Sequence, residues 1–348
     1  MFIINNNNKE NMTNIKKIGL TALAASLVST SAFAGAITVT GGASMDLTGM
    51  SGDGMNRPAT YSMGDALTFS GSGTLENGLN VAMTFIADED EEVGAVGPFY
   101  SRNLALSRDD LGKLVFAGQD GSSATQTVHK TVAGNIWDQF NSSVSGSGVT
   151  GVTRFSVTGS GANSFLYTTP NLVEGLNIFG SLQPSTATAE SYTGYGASYS
   201  GIAGLNASAA RNTIAGGSAA LDGDQTAMKA TYAYGPITVG VSNTAYKVGT
   251  GAGAYSTSAK TDQSQDIRGY SISYTVTDAL SVSYGMETVD SGSTASGVVD
   301  AEFNKLSASY TMGGMSISTY MSNADNIAHG AASAQDQEKW GLGASFAF

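Results

Sequence analysis

The chain has 348 residues, of which 45 are Gly, 5 are Pro and none is Cys; 13% are charged and the net charge is −12. The lack of Cys excludes disulfide scaffolds, Cys-ligated zinc and thiol chemistry. An excess of 28 acidic over 16 basic residues excludes a protein that tracks phosphates, so no nucleic-acid partner is expected, and 15 Tyr with 13 Phe argue against a disordered chain.

Residues 1–34 read as an export leader. Lys16 and Lys17 precede an apolar run from Ile18 to Val28, and Ala32-Phe33-Ala34 supplies an A-x-A cleavage site. The run is too short for a membrane helix. Met12, just ahead of the Lys pair, is an alternative start. The mature chain, 35–348, is expected to be one domain. Three of the 16 basic and one of the 28 acidic residues fall in the leader, so the mature chain carries −14. Beyond the leader no stretch reaches the ~18 consecutive apolar residues of a spanning helix. Only a closed β-barrel remains as a way to cross a bilayer, because it pairs every backbone group between strands.

Period-2 alternation runs through the mature chain and predicts strands with two different faces. Residues 270–276 set Tyr270, Ile272, Tyr274 and Val276 against Ser271, Ser273 and Thr275. Residues 280–287 set Leu280, Val282, Tyr284 and Met286 against Ser and Gly, and 306–312 repeat the pattern with Leu306, Ala308, Tyr310 and Met312. The polar face is Ser, Thr, Gly and Asn rather than Lys and Glu, and Tyr recurs near strand ends. Both features fit an apolar face toward lipid and a polar face toward water.

In chain order, short turns are expected near 73–78, 107–112, 170–175, 200–204, 234–236, 275–279 and 311–314. Longer polar segments fall near 48–60, 88–98, 119–152, 184–191, 212–224, 247–265, 289–301 and 324–337. Seven short and eight long connections join sixteen strands, and an even number lets the last strand pair with the first. The expected fold is all-β, a sixteen-stranded antiparallel transmembrane barrel.

The second long segment carries Asp88-Glu89-Asp90-Glu91-Glu92. Hard carboxylate oxygens suit a divalent cation, so this run is the candidate site for a loop-bound Ca²⁺ or Mg²⁺, against the plainer reading of a solvated acidic loop. Asp46, Lys229, Glu287 and Lys305 fall on the polar face. Outward, each Lys would cost ~2–4 kcal/mol near the membrane midplane and each acid less, so they are assigned to the pore lining. The last strand places Trp340, Leu342, Ala344, Phe346 and the terminal Phe348 on one face. Gly249-Thr250-Gly251-Ala252-Gly253-Ala254 has no helix after it and reads as a loop. Neither His129 nor His329 has metal-ligand spacing and no Ser is singled out, so no enzyme is expected.

Three stretches carry a family resemblance. Asn163-Ser164-Phe165-Leu166-Tyr167-Thr168-Thr169-Pro170, then Glu174-Gly175-Leu176, is similar to the NSxxYxSP…GL strand and turn of Gram-negative general porins, with Thr169 in the usual Ser place. Arg102-Asn103 followed by Leu111-Gly112-Lys113-Leu114 resembles the fourth strand, turn and fifth strand of that family, and the alternating strand ending in Phe348 resembles an outer-membrane assembly signal. The resemblance implies a trimeric, sixteen-stranded barrel in the cell outer membrane, in contact with its lipid and inserted by the barrel-assembly machinery. It also implies that segment 119–152 is the third loop, folded into the lumen. That segment holds His129, Lys130, Trp137 and Phe140. On the same analogy Asp120 and Asp138 are the constriction acids, and Lys113, Arg102 and Arg154 the facing cations. Alternation supports Lys113 on the polar face but puts Arg102 with Leu104 and Leu106 on the apolar one.

The expected function is a water-filled channel for passive diffusion of small hydrophilic solutes and ions. The alternative is a structural or adhesive barrel with a closed lumen. Counting Lys113, Lys229 and Lys305 against Asp46, Asp120, Asp138 and Glu287 gives a slight acidic excess and hence an expected mild cation preference.

Overall fold

The computed structural model describes residues 37–52, 57–88, 101–119, 121–143, 163–184, 191–215, 223–248, 264–290, 299–327 and 336–348. The leader, Glu89 to Glu92, Asp120 and Arg154 lie outside them.

The alternating segments form sixteen strands. The first half comprises β1 (Thr38–Gly52), β2 (Arg57–Thr74), β3 (Asn80–Asp88), β4 (Ser101–Arg108), β5 (Gly112–Gln119), β6 (Ser164–Thr168), β7 (Leu176–Gln183) and β8 (Ser191–Tyr199). The second half comprises β9 (Leu205–Ala215), β10 (Gly223–Tyr234), β11 (Ile237–Val248), β12 (Ser264–Thr275), β13 (Leu280–Val289), β14 (Ala301–Met312), β15 (Met315–Asp325) and β16 (Gln337–Ala347). Each strand pairs antiparallel with its sequence neighbours, and β1 pairs with β16, so the sheet closes on itself. All seven short turns fall where the sequence puts them.

Closure is completed beyond the last strand. The Gly41 N–H donates to the Phe348 carbonyl at 2.7 Å and the Phe348 N–H returns to the Gly41 carbonyl at 3.0 Å. A Cβ on Gly41 would collide with the Phe348 ring, so the terminal aromatic lies flat across the first strand. Trp340 lies over Gly49 in the same way. The face expected to serve as an assembly signal is thus the outward face of the β1–β16 seam, and Trp340, Leu342, Phe346 and Phe348 on it are all exposed.

The two faces divide as the alternation requires. Met45, Leu47, Tyr270, Ile272, Tyr274, Tyr284 and Met286 point outward and are exposed. Tyr234, Tyr274 and Tyr310, at the short-turn end, form part of an aromatic girdle. Buried apolar residues do not lie between two sheets. They cluster where the third long connection meets the inner wall: Ile136, Trp137 and Phe140 pack on Ile214, Ile267, Val289 and Phe303, and Ala124 and Val128 pack on Phe179, Ala210 and Ala227.

The turn between β6 and β7 shows how tightly the short connections fit. Gly175 has φ +75°, and a Cβ there would strike the Gly201 backbone of the next turn. Only Gly tolerates both demands. Gly175→Val is expected to destabilise the barrel by about 1–3 kcal/mol, read as a lower temperature for loss of heat-modifiable electrophoretic mobility in detergent.

Candidate functional site: the inner loop and the lumenal wall

Residues 121–143 touch strands from β7 round to β16, always on the face opposite the exposed apolar residues, so they line the inside of the barrel. The contact is a series of hydrogen bonds to wall side chains. The Ala124 N–H donates to Ser181 Oγ of β7 at 2.8 Å, and Thr125 Oγ1 donates to Gln225 Oε1 of β10 at 2.8 Å. Thr244 Oγ1 of β11 donates to the His129 carbonyl at 3.2 Å, and the Val132 N–H to Ser242 Oγ, also on β11, at 3.1 Å. Lys339 Nζ of β16 donates to the Gln139 carbonyl at 3.1 Å.

Glu287 of β13 is the central anchor. Its carboxylate accepts from Thr131 Oγ1 and, at 3.0 Å, from the Trp137 N–H in the first turn of the 3-10 helix Ile136–Ser143. The helix N-terminus presents unpaired N–H groups and a positive dipole end, which a carboxylate satisfies. Glu287 is 1% exposed. It therefore holds the loop and does not line the open lumenal surface, which corrects the assignment from alternation. Parity put the residue on the right face, but the loop covers it.

Glycines make room for this contact. A Cβ on Gly240, Gly269 or Gly285 would crowd Val132, Thr131 or Ala133 of the loop. These three glycines occupy lumenal positions on β11, β12 and β13, a pattern visible in the sequence that was read only as small residues on the polar face.

The other expected site residues distribute as follows. Asp46 on β1 is lumenal, beside Gly343 of β16. Lys113 on β5 is lumenal and exposed, and Lys229 on β10 and Lys305 on β14 are lumenal and half-buried. Lys305 Nζ sits 4.5 Å from the Tyr320 ring centroid, a cation–π contact that holds the amine against the wall. Asp138 is exposed on the loop helix, and Trp137 and Phe140 are buried against the wall. Arg102 stands opposite Phe85 in the ladder with β3, in phase with Leu104 opposite Met83. It faces outward, which corrects its assignment to the constriction: a bulge between Arg102 and Asn103 shifts the register with β5 but leaves the parity with β3 intact. Sequence reading missed Lys339 and did not count Lys130, which is exposed on the loop. Burial holds the His129 imidazole below its ordinary value, Lys229 and Lys130 push it the same way, and the Gln126 carbonyl at 2.8 Å from Nδ1 opposes them. His129 is therefore neutral at neutral pH. Among the described residues no group of three or more His, Asp or Glu is arranged to hold a metal.

The sequence profile of the Gram-negative porins matches residues 19–292. The chain belongs to the Gram-negative porin family. No protein of curated function matches it. Solved structures of similar fold include a porin refined at 1.8 Å, at 19% identity over 90% of this chain and 100% of that one, with a TM-score of 0.63. An anion-selective porin from Comamonas acidovorans is similar at 16% identity over 90% and 99%, with a TM-score of 0.65. A loop L8 deletion mutant of OmpT, an outer membrane protein of Vibrio cholerae, is similar at 13% identity over 90% and 99%, with a TM-score of 0.62. Family and fold make this porin an outer-membrane channel protein.

Replacing Glu287 by Gln keeps one acceptor but turns an amide N–H₂ toward a group that also donates. Leaving a buried donor unpaired costs about 1–3 kcal/mol. Glu287→Gln is expected to keep the barrel folded while the inner loop loosens, seen as noisier single-channel current and a shifted mean conductance in planar bilayers.

Proposed function

We propose that this porin is a water-filled channel for passive diffusion of small hydrophilic solutes and ions across the outer membrane, delivered by the cleaved leader and assembled as a homotrimer. The observation that carries the reading is the one-sided placement of the described part of the inner loop, residues 121–143. It is fastened to the wall from β7 to β16, while lumenal Ser62 and Lys113 away from that contact stay exposed. Barrels of about sixteen strands, porins among them, are too wide for Ser, Thr and Gly side chains to fill. A closed structural barrel would need a plug over the β1–β6 side as well.

Trimer formation is supported by the outward face of β1 to β3. Ala43 and Gly71 lie among exposed Tyr61, Met63, Leu67 and Met83, a mixed relief that suits contact with a second copy. The acidic run from Asp88 to Glu92 keeps its proposed role as a weak divalent-cation loop, testable by calcium titration of the purified porin.

The positions also change the expected ion sign. The count that favoured cations included Glu287, whose oxygens are occupied beneath the loop, and omitted Lys130 and Lys339. Among the described residues Lys113, Lys130, Lys229, Lys305 and Lys339 face Asp46 and Asp138 in the lumen, and Asp120, which lies outside the described residues, would leave the excess basic if added. The channel accordingly favours anions. Purified porin in a planar bilayer is expected to give discrete conductance steps, with a reversal potential in a KCl gradient of the sign for Cl⁻ over K⁺. The preference should shrink toward 1 M salt, where the Debye length falls to about 3 Å. Absence of steps overturns the channel; a potential of the opposite sign overturns only the ion preference.

A further inference from the structure

On β8, β9 and β10 a recess of about 200 Å³, completed by Tyr199, Ser200 and Ala207, is lined on the lumenal parity by Ser198, Asn206, Ser208, Lys229 and Thr231. Register brings them together: Ser198 pairs with Ser208, Ser208 with Lys229, and Asn206 with Thr231. The group comprises three hydroxyls, one amide and one ammonium, with no carboxylate. These five side chains make no hydrogen bond or ion pair among the described residues. The inner loop runs along the neighbouring strand β11 and carries a second cation there. The Val132 N–H bonds to Ser242, the cross-strand neighbour of Lys229, and the His129 carbonyl accepts from Thr244 two residues further along β11. Lys130 lies between those two anchors and is exposed.

We propose that Lys229, Ser198, Asn206, Ser208 and Thr231 form an oxyanion subsite on the pore wall that takes inorganic phosphate or the phosphate group of a monoester, with Lys130 handing the anion down from the loop. The subsite rests on the open-channel reading above. A tetrahedral divalent oxyanion presents oxygens in several directions, matching donors that converge from three strands. Chloride would use the Lys charge but none of that geometry. Charge-assisted bonds from Lys to phosphate are among the stronger ones, yet here they form in an open, hydrated pore. The result is weak retention, which a conducting path requires: enough to attract an ion and too little to trap it.

The test uses the full-length porin in planar bilayers carrying chloride current at pH 8 and constant ionic strength. Added inorganic phosphate, or glycerol phosphate in a parallel arm, is expected to lower chloride conductance saturably. Lys229→Gln should raise the half-blocking concentration roughly tenfold, the loss of one charged hydrogen-bond partner. Ser208→Ala should raise it severalfold without changing any charge. Lys247→Gln, the same charge change on the outward face of β11, should leave it unaltered. The arm that blocks identifies the source of the phosphate group. Conductance steps with a block that is linear, or unmoved by Lys229→Gln and Ser208→Ala in porin that keeps its heat-modifiable mobility, overturn the subsite and leave the channel standing. A preparation that never conducts overturns the channel reading itself.

Discussion

Hydrocarbon offers no partner to a backbone N–H or C=O, so every peptide group at membrane depth must be paired within the chain. A sheet meets that demand only by abolishing its edges, and in this porin the decisive pairing is the last to form along the sequence, β16 against β1. It joins residues some three hundred positions apart, at a large cost in loop-closure entropy. The seam is reinforced where that cost falls. Two backbone bonds extend it past β16 to Phe348, and the Phe348 and Trp340 side chains cover Gly41 and Gly49, which have no side chains to obstruct them. The outward face of the seam therefore contributes apolar cover as well as closure.

Closure fixes the fate of every second residue. Once the sheet is a tube, one parity meets lipid and the other meets water, and the two environments demand opposite chemistry. The inner wall must also accept a loop, and it does so by a third kind of residue choice. Gly240, Gly269 and Gly285 let the backbone of the inner loop approach β11 to β13, while Ser181, Gln225, Ser242 and Glu287 supply its hydrogen-bond partners. The loop thereby acquires an apolar underside, Ile136 and Phe140 against Ile214 and Phe303, inside a barrel whose lumen is otherwise polar. Burial there excludes water from the Glu287 bonds and makes each of them stronger than it would be in water.

Much of this was legible in the sequence because the barrel is a local code repeated. Alternation needs only neighbours, and the short turns announce themselves: Gly78, Gly112, Gly175, Gly204, Gly235 and Gly313 all adopt positive φ. Arg102 is instructive, since its own alternation placed it outward while the family analogy placed it in the lumen, and the ladder with β3 follows the alternation. Glu287 was misread for the opposite reason. Parity is a property of one strand, whereas its burial is caused by Thr131 and Trp137, about 150 residues earlier. No window on β13 contains that information. Lys339 was open to reading from the parity of Gly341 and Gly343, but the aromatic positions of the same strand drew the attention.

The same sorting separates the charges of this acidic protein by face. Outward positions near the long-loop ends hold Asp224, Asp266, Glu302, Asp325 and Glu338, and two of the outward cations, Arg211 and Arg268, are paired locally, with Asp224 at 2.9 Å and Asp300 at 3.7 Å. Those charges act on the medium outside the barrel, where a Debye length of about 8 Å at physiological ionic strength confines their reach. An ion inside meets the lumenal parity at contact distance, between low-dielectric walls that concentrate its field. Net charge is a sum over both faces and belongs to neither. What an ion experiences is set by the parity of each charged residue, and then by whether a loop lies over it: Lys130 is exposed and Lys339 is only half-buried, whereas Glu287, on the same wall, lies buried beneath the loop.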